Sequence, residues 1–276
     1  MCTLGMCRKY LCLLSVLFTL GSFSLQATAE TIKVGGTGSA LGTMSLLMSE
    51  FQKTEPDVSI TVVPNLGSTG SIKALAAGAI ELALTSRPLR NEEQAQGLIA
   101  HEYGKTPFVL ITNKTGVTNL ATKEVVAIYA GQQTKWPDGS PIRLVLRPPT
   151  DSDNLILARF SPETEKAVTI AQARKGMVIA VTDQDAVESV QSSPGALGTS
   201  SLALILSERR SLTPLAINGV TPGVETLADK TYPYFKIMFV VTRKNTNSAA
   251  MRFVEFMHSA DGRRILTENG HWVTEQ

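Results

Sequence analysis

Continuous apolar runs that alternate with helical patterns constrain the fold of this chain more than any other feature. Four such runs are TIKVGG, SITVVPN, IELALTS and TPFVLITN, and the helical patterns that follow them cover residues 41–51, 71–77, 91–99 and 122–129. Within the runs, apolar residues do not alternate strictly with polar ones, which is typical of parallel strands covered by helices on both faces. The sequence therefore predicts an α/β fold.

A second series of strand and helix patterns begins after Asn113. It contains RLVLR, GMVIAVTD, PGALGTSS and LTPLAING, and a late strand run, YFKIMFVVTRKN, precedes helical patterns at 248–257 and 260–269. The restart predicts two lobes, and the late strand predicts that the chain returns to the first one. We expect residues 30–113 plus 235–276 to form lobe 1 and residues 114–234 to form lobe 2.

The first 29 residues have the organisation of a secretory signal. Arg8 and Lys9 precede the apolar run LCLLSVLFTLGSFSL, and the small-residue cleavage pattern A-x-A follows. All three cysteines, Cys2, Cys7 and Cys12, lie in this segment. We therefore expect a protein that is exported to the periplasm and folds without disulfides.

Charge and motifs exclude several classes of function. The net charge is +2, and the two basic residues of the signal segment account for it, so the mature chain has no basic excess for nucleic acid or a membrane surface. The chain lacks the G-x-S-x-G and H-E-x-x-H motifs. His101, His258 and His271 are scattered, and for the last two we expect surface or capping roles at helix ends. We expect no nucleic-acid partner, no enzyme activity, no cofactor and no metal.

Two loops rich in glycine and serine follow strands and open helices. VGGTGSALG differs by one residue from the spacing of the dinucleotide fingerprint, and the next strand ends without the ribose-binding acid. The letters GKT at residues 104–106 run into a strand rather than a helix, so they do not form a nucleotide-binding loop. Both VGGTGSALG and NLGSTGSIKAL open a helix, and the first backbone amides of a helix have no partner within it. These amides favour binding of a free anion at both loops. The alternative is that Ser39, Ser68 and Ser71 are ordinary helix caps.

Two further strand ends carry arginines that suit an oxyanion. ELALTSRPLR places Ser86 and Arg87 after the third strand, and Arg147 ends the strand of RLVLRPPTDSDNLIL. The alternatives are a surface arginine before Pro88 and a plain Asp or Ser cap on the helix that begins near Ser152.

The ordered set of these motifs resembles the periplasmic phosphate-binding proteins of ABC uptake systems. The resemblance runs through GTGSA, NLGSTGSIKAL, IELALTSRPL, TPFVLITN, WPDGSPI, INGVTPGVETL and YPYFKIMFVVTRKN, nearly all of the mature chain. It implies a two-lobed periplasmic binding protein-like fold of type II, each lobe a mostly parallel sheet flanked by helices. It also implies a monomer that captures a small oxyanion, with phosphate as the leading candidate, and delivers it to an ABC permease.

Carried over by position, the anion-binding residues that the resemblance implies are Ser39, Ala40, Ser68, Gly70, Ser71, Ser86, Arg87, Arg147 and Ser152. The sequence departs from the family's pattern at two positions, and these departures leave the identity of the anion open. The family's Ser-Gly-Thr is replaced around Asp151 and Asp153, and Ser86-Arg87 stands where phosphate binders carry an aspartate. The two acids could accept a proton from hydrogen phosphate, cap a helix or repel the anion. A ligand sensor and a secreted hydrolase remain alternative functions.

The signal pattern generates a direct prediction. The precursor should be cut between Ala29 and Glu30, because the small residues before this bond fit a signal peptidase. Mass spectrometry of protein from the periplasmic fraction should show an N-terminus at Glu30. An intact N-terminus on cytoplasmic protein would contradict the prediction.

Overall fold

The structure, a computed structural model, describes residues 30–273. The predicted signal segment lies outside this range. Within it the strands are β1 Glu30–Gly36, β2 Val58–Val63, β3 Leu82–Thr85, β4 Leu98–Thr112, β5 Asn119–Leu120, β6 Arg143–Leu146, β7 Val178–Ile179, β8 Ala196–Ser201, β9 Thr213–Pro214, β10 Ala216–Ile217 and β11 Phe235–Arg243.

The helices of the same range are α1 Gly38–Thr54, α2 Gly67–Ala76, α3 Asn91–Gln94, α4 Thr122–Ala130, α5 Ser152–Ala158, α6 Pro162–Ala173, α7 Asp183–Ser192, α8 Leu202–Ser207, α9 Val224–Ala228, α10 Ser248–Met257 and α11 Ala260–Glu268. None of these helices has the length and apolar character that a membrane crossing needs.

Strand β4 joins the two halves of the main sheet. The strand order is β2-β1-β3-β11-β4-β8-β6-β7, and β9 also pairs with β4. Residues Leu98 to Pro107 of β4 pair with β11, whereas Phe108 to Thr112 pair with β8. The outer strands run parallel, and β11 and β4 run antiparallel to their neighbours. The α/β class is therefore confirmed. The predicted lobe boundaries stay a prediction.

Helices cover both faces of each half of the sheet. In the first half, Leu84 of β3 belongs to the core shared with α1, α10 and α11, and its neighbour Ala83 belongs to the core with α2. In the second half, Phe108 belongs to the core with α4 and α6, and Val109 to the core with α7 and α8. Burial on both faces explains why the strand sequences are continuous apolar runs.

One predicted helix is much shorter than its sequence pattern. The expected helix over residues 91–99 is reduced to α3, which ends at the C-cap Ala95. Gly97 then takes a φ of 79°, in the left-handed region that glycine tolerates, and the chain enters β4 at Leu98. Helices α6, α7, α8 and α9 were not part of the sequence prediction.

His271 is a core residue, so the expected surface or capping role is wrong. Its exposed fraction is 0%, and its ring lies 5.7 Å from the ring of Tyr103 between centroids. Neither ring nitrogen has a hydrogen-bond partner among the described residues. Burial therefore lowers the pKa of His271 from its usual 6.5 to about 4.

The lowered pKa of His271 predicts a pH-dependent stability. The unfolded chain takes up this proton near pH 6.5 and the folded chain near pH 4, so the contribution to stability is complete above pH 6.5 and is lost as the pH falls. The loss should reach about 3 kcal/mol at pH 4. Urea unfolding at pH 7.5 and 4.5 should show it in the wild type and in His101→Gln, but not in His271→Phe. Equal pH slopes in wild type and His271→Phe would refute the assignment.

Candidate functional site

A cleft of about 370 Å³ opens where strand ends from both halves of the sheet meet. Strands β1, β3 and β6 end there, and the amino ends of α1, α2, α5 and α7 contribute to its wall. Ligands of open α/β sheets bind at the carboxyl ends of strands, because the following helices point their positive ends into the same space. The cleft therefore has the right position for an anion site.

The structure brings five of the predicted site residues to the wall of this cleft, namely Ser68, Ser86, Arg87, Arg147 and Ser152. The other four do not line it: Ser39, Ala40 and Ser71 are buried, and Gly70 is half-buried. Their role as ligand contacts stays a prediction.

Helix α2 presents free donors to the cleft. Its N-cap, Leu66, provides no side-chain hydrogen bond, so the first amides of the helix have no capping partner from that residue. The Ser86 amide donates to Ser68 Oγ at 3.1 Å, and the two hydroxyl oxygens lie 3.4 Å apart. Gly67 takes a φ of 61°, a conformation that favours glycine and turns the chain into the helix. Two hydroxyls and the α2 amides thus converge at one end of the cleft.

Arg87 is held beside these hydroxyls by a carboxylate. Its guanidinium donates to Glu93 Oε1 at 2.8 Å and to Glu93 Oε2 at 2.9 Å. The hydrogen bond from Arg87 lowers the pKa of Glu93, which keeps the carboxylate charged. A two-point ion pair fixes the plane of the guanidinium, so Arg87 is preorganised at the cleft wall.

The amino end of α1 is occupied by a carboxylate of the chain itself. The Ser39 amide donates to Asp183 Oδ2 at 3.1 Å, and the Thr37 hydroxyl donates to the same oxygen at 3.1 Å. Asp183 is the first residue of α7, in the other half of the protein. A beta carbon on Gly38 would lie 2.7 Å from that of Asp183, so glycine is required for this close approach.

A buried lysine joins this carboxylate to a second one. Lys236 Nζ lies 2.5 Å from Asp153 Oδ1 and 3.4 Å from Asp183 Oδ1, and it donates to Ser39 Oγ at 3.1 Å. The second oxygen of Asp153 accepts a hydrogen bond from Thr199 at 2.7 Å. Lys236 is 2% exposed and Asp153 is 0% exposed, so their charges must be compensated by protein groups.

Arg147 completes the ionic cluster. It donates to Asp151 Oδ2 at 2.7 Å and to the carbonyl of Ala180 at 3.0 Å, and it lies 3.6 Å from Asp183 Oδ1. Asp151 also caps α5 by accepting from the Asp153 amide at 2.9 Å. Of the two acids that the sequence left open, Asp151 is thus a helix cap, whereas Asp153 pairs with Lys236.

The pKa values follow from these contacts. Burial raises the pKa of Asp183, but the charges of Lys236 and Arg147 and the hydrogen bonds from Ser39 and Thr37 outweigh it and lower the pKa to about 2. Burial lowers the pKa of Lys236, and Asp153 and Asp183 reverse the shift and raise it above its usual value. Asp183 and Lys236 are therefore charged at neutral pH.

Sequence reasoning missed Asp183, Lys236 and Thr37. Two local signals were available. Thr182 and Asp185 form a capping box, a pattern that marks the start of α7. Lys236 is a charged residue inside the apolar strand FKIMFVV, where a lysine needs a buried partner. Neither signal identifies which residues the two side chains meet.

The cluster predicts a large cost for removing its lysine. Lys236→Met should lower the free energy of unfolding by about 3–5 kcal/mol, because it leaves buried carboxylates without their counter-ion. Chemical denaturation of the ligand-free protein measures this. The double variant Lys236→Met/Asp153→Asn should recover part of the loss, since Asn keeps an acceptor for Thr199 without the charge. A Lys236→Met variant as stable as wild type would contradict the cluster.

Comparison with known proteins agrees with this architecture. A family model described as a PBP superfamily domain matches residues 22–261. The chain is similar to the phosphate-binding protein PstS of Borreliella burgdorferi, with 22% identity over 257 residues, 89% of this chain and 90% of that protein.

Two solved structures are similar over their full length. One, from Clostridium perfringens, is assigned as a phosphate ABC transporter substrate-binding protein with bound phosphate; the TM-score is 0.74 at 23% identity, over 89% of this chain and 100% of that one. The other is the periplasmic molybdate-binding protein of Azotobacter vinelandii, with a TM-score of 0.64 at 17% identity, over 89% of this chain and 100% of that one. They confirm the predicted two-lobed α/β fold of type II periplasmic binding proteins. With the family model matched over most of its sequence, the chain belongs to the PBP superfamily.

Proposed function

We propose that this protein binds a small tetrahedral oxyanion, with phosphate as the first candidate, and delivers it to an ABC permease outside the cytoplasm. The observation that carries the proposal is the convergence of the uncapped α2 amides, the Ser68 and Ser86 hydroxyls and Arg87 at one end of the cleft. The protein binds its ligand and releases it unchanged, as a monomer and without a cofactor.

Hydrogen-bond donors, rather than excess charge, suit this cleft to an anion. The bases at and behind the wall are Arg87, Arg90, Arg147 and Lys236, and the acids are Glu93, Asp151, Asp153 and Asp183. Because bases and acids are equal in number, the cleft has no excess positive charge, and a bound oxyanion depends on the direction of individual donors, namely the α2 amides, the two hydroxyls and the Arg87 guanidinium. A desolvated oxyanion needs such a partner on every oxygen.

The related proteins support phosphate as the first anion to test. The Borreliella burgdorferi relative is named a phosphate-binding protein, and the Clostridium perfringens structure contains phosphate. The Azotobacter vinelandii protein is named for molybdate, another tetrahedral oxyanion. We propose Ser68, Ser86 and Arg87 as the contacts from lobe 1, and Arg147 and Ser152 as the contacts from lobe 2.

Isothermal titration calorimetry tests the proposed ligand. Protein stripped of ligand by partial unfolding and refolding should bind phosphate with one site per chain, and sulfate and molybdate serve as the competing anions. Tighter binding of molybdate than of phosphate would change the named anion but keep the site. The absence of binding by all three would reject the proposed function.

Arg87 should contribute strongly to binding. Arg87→Ala should weaken phosphate binding by about 2 kcal/mol, roughly 30-fold in Kd, because a charge-assisted hydrogen bond is lost. Calorimetry measures the change, and Lys73→Ala is the matched control, since Lys73 is exposed at the far end of α2. In Arg87→Ala, the Glu93 carboxylate loses its ion-pair partner and would itself repel phosphate. The double variant Arg87→Ala/Glu93→Ala removes this carboxylate, so a loss of affinity that persists in it comes from Arg87. Wild-type affinity in this double variant would exclude Arg87 as a ligand contact.

A further inference from the structure

Helices α1 and α2 both begin at the cleft, and only one of them is free for a ligand. Neither helix has a side-chain cap from its own N-cap residue. At α1, however, Asp183 accepts from the Ser39 amide and from the Thr37 hydroxyl, each at 3.1 Å. These donors, together with Lys236 and Arg147, are the types that bind a tetrahedral oxyanion. Asp183 thus contacts Ser39 and Arg147, two of the residues that the sequence assigns to a ligand.

The charges around Asp183 allow one anion at this position and no second one. Lys236 pairs with Asp153 at 2.5 Å and Arg147 pairs with Asp151 at 2.7 Å, so each base has its own acid. The third acid, Asp183, is balanced by the positive end of α1, which is equivalent to roughly half a charge, and by its longer contacts with both bases. An oxyanion that approached α1 would meet this carboxylate in place of free donors.

The same contacts cross between the lobes. Thr37, Gly38 and Ser39 lie at the start of α1 in the predicted lobe 1, and Asp183 and Gln184 lie at the start of α7 in the predicted lobe 2. The Gln184 amide group donates to the carbonyl of Gly38 at 3.1 Å, beside the Asp183 contacts. Three hydrogen bonds between protein groups therefore join the two predicted lobes at the α1 end of the cleft.

We infer that Asp183 is an intramolecular anion that occupies the amino end of α1 and latches the two lobes together without ligand, which leaves the α2 end for the bound oxyanion. This inference deepens the proposed function, because it assigns regulation of the same cleft to a residue of the chain. It predicts that the ligand-free wild type is already closed, and that phosphate changes the separation of its lobes little.

Spin labels measure the separation of the lobes. Lys73→Cys on α2 and Glu163→Cys on α6 are exposed positions on opposite sides of the cleft, in a chain whose Cys2, Cys7 and Cys12 are replaced by serine. In the labelled protein with the wild-type cleft, double electron–electron resonance should give the same distance between the two spin labels with and without phosphate. Asp183→Ala should shift the ligand-free distance to longer values. Its fold should persist, checked by circular dichroism, because the remaining bases and acids still pair one to one.

Formate provides a test that does not depend on the ligand. Added at millimolar concentration, formate should fill the carboxylate position in Asp183→Ala, restore the short distance and raise the Tm of this variant alone. The matched control is Asp185→Ala, which removes an exposed carboxylate from the same turn of α7 and should neither open nor respond to formate.

Each result decides between the two proposals. A ligand-free wild type that is open and closes with phosphate would overturn the latch and support the proposed function. Asp183→Ala with the wild-type distance, or with no response to formate, would also overturn the latch. If formate closes Asp183→Ala while no oxyanion binds to the wild type, the latch stands and the proposed function fails.

Discussion

The base of the cleft depends on the ion pairs that the buried ammonium group of Lys236 forms with Asp153 and Asp183. A charged lysine that is 2% exposed has lost most of its hydration, and only well-placed carboxylates compensate that cost. Its partners come from distant parts of the chain: Asp153 from α5, Asp183 from α7 and Ser39 from α1. Because all of them must be in place together, strand β11 and these three helices form one unit at the base of the cleft.

The sheet explains why such distant residues meet. Strand β4 pairs with β11 along its first part and with β8 along its last, so one continuous strand fixes the position of both halves. Strands β1, β3 and β6 all end at the edge where the cleft lies, and α1 and α5 begin there. The helix ends converge because the strands are aligned, which is a property of the sheet and not of any single loop.

The acids around the cleft look unfavourable for an anion when they are considered one at a time. In the structure, Asp151 is bound to Arg147 and Asp153 to Lys236, so their negative charges are cancelled by bases that would otherwise attract the ligand. In the proposed site, recognition then depends on the direction of individual donors, including Arg87, and not on a net positive charge. Such a site favours an anion by the number and direction of its hydrogen bonds, and net attraction contributes little.

The sequence by itself determined the local structure and part of the cleft. Continuous apolar runs predicted the buried strands, and the serine and glycine junctions predicted where Ser68, Ser86 and Arg87 would lie, because strand ends and helix starts depend on nearby residues. Only the tertiary structure decided that Asp183 meets Ser39 across a separation of 144 residues and Lys236 meets Ser39 across 197. These pairs carry no local pattern, since their approach is set by the packing of whole helices against the shared sheet.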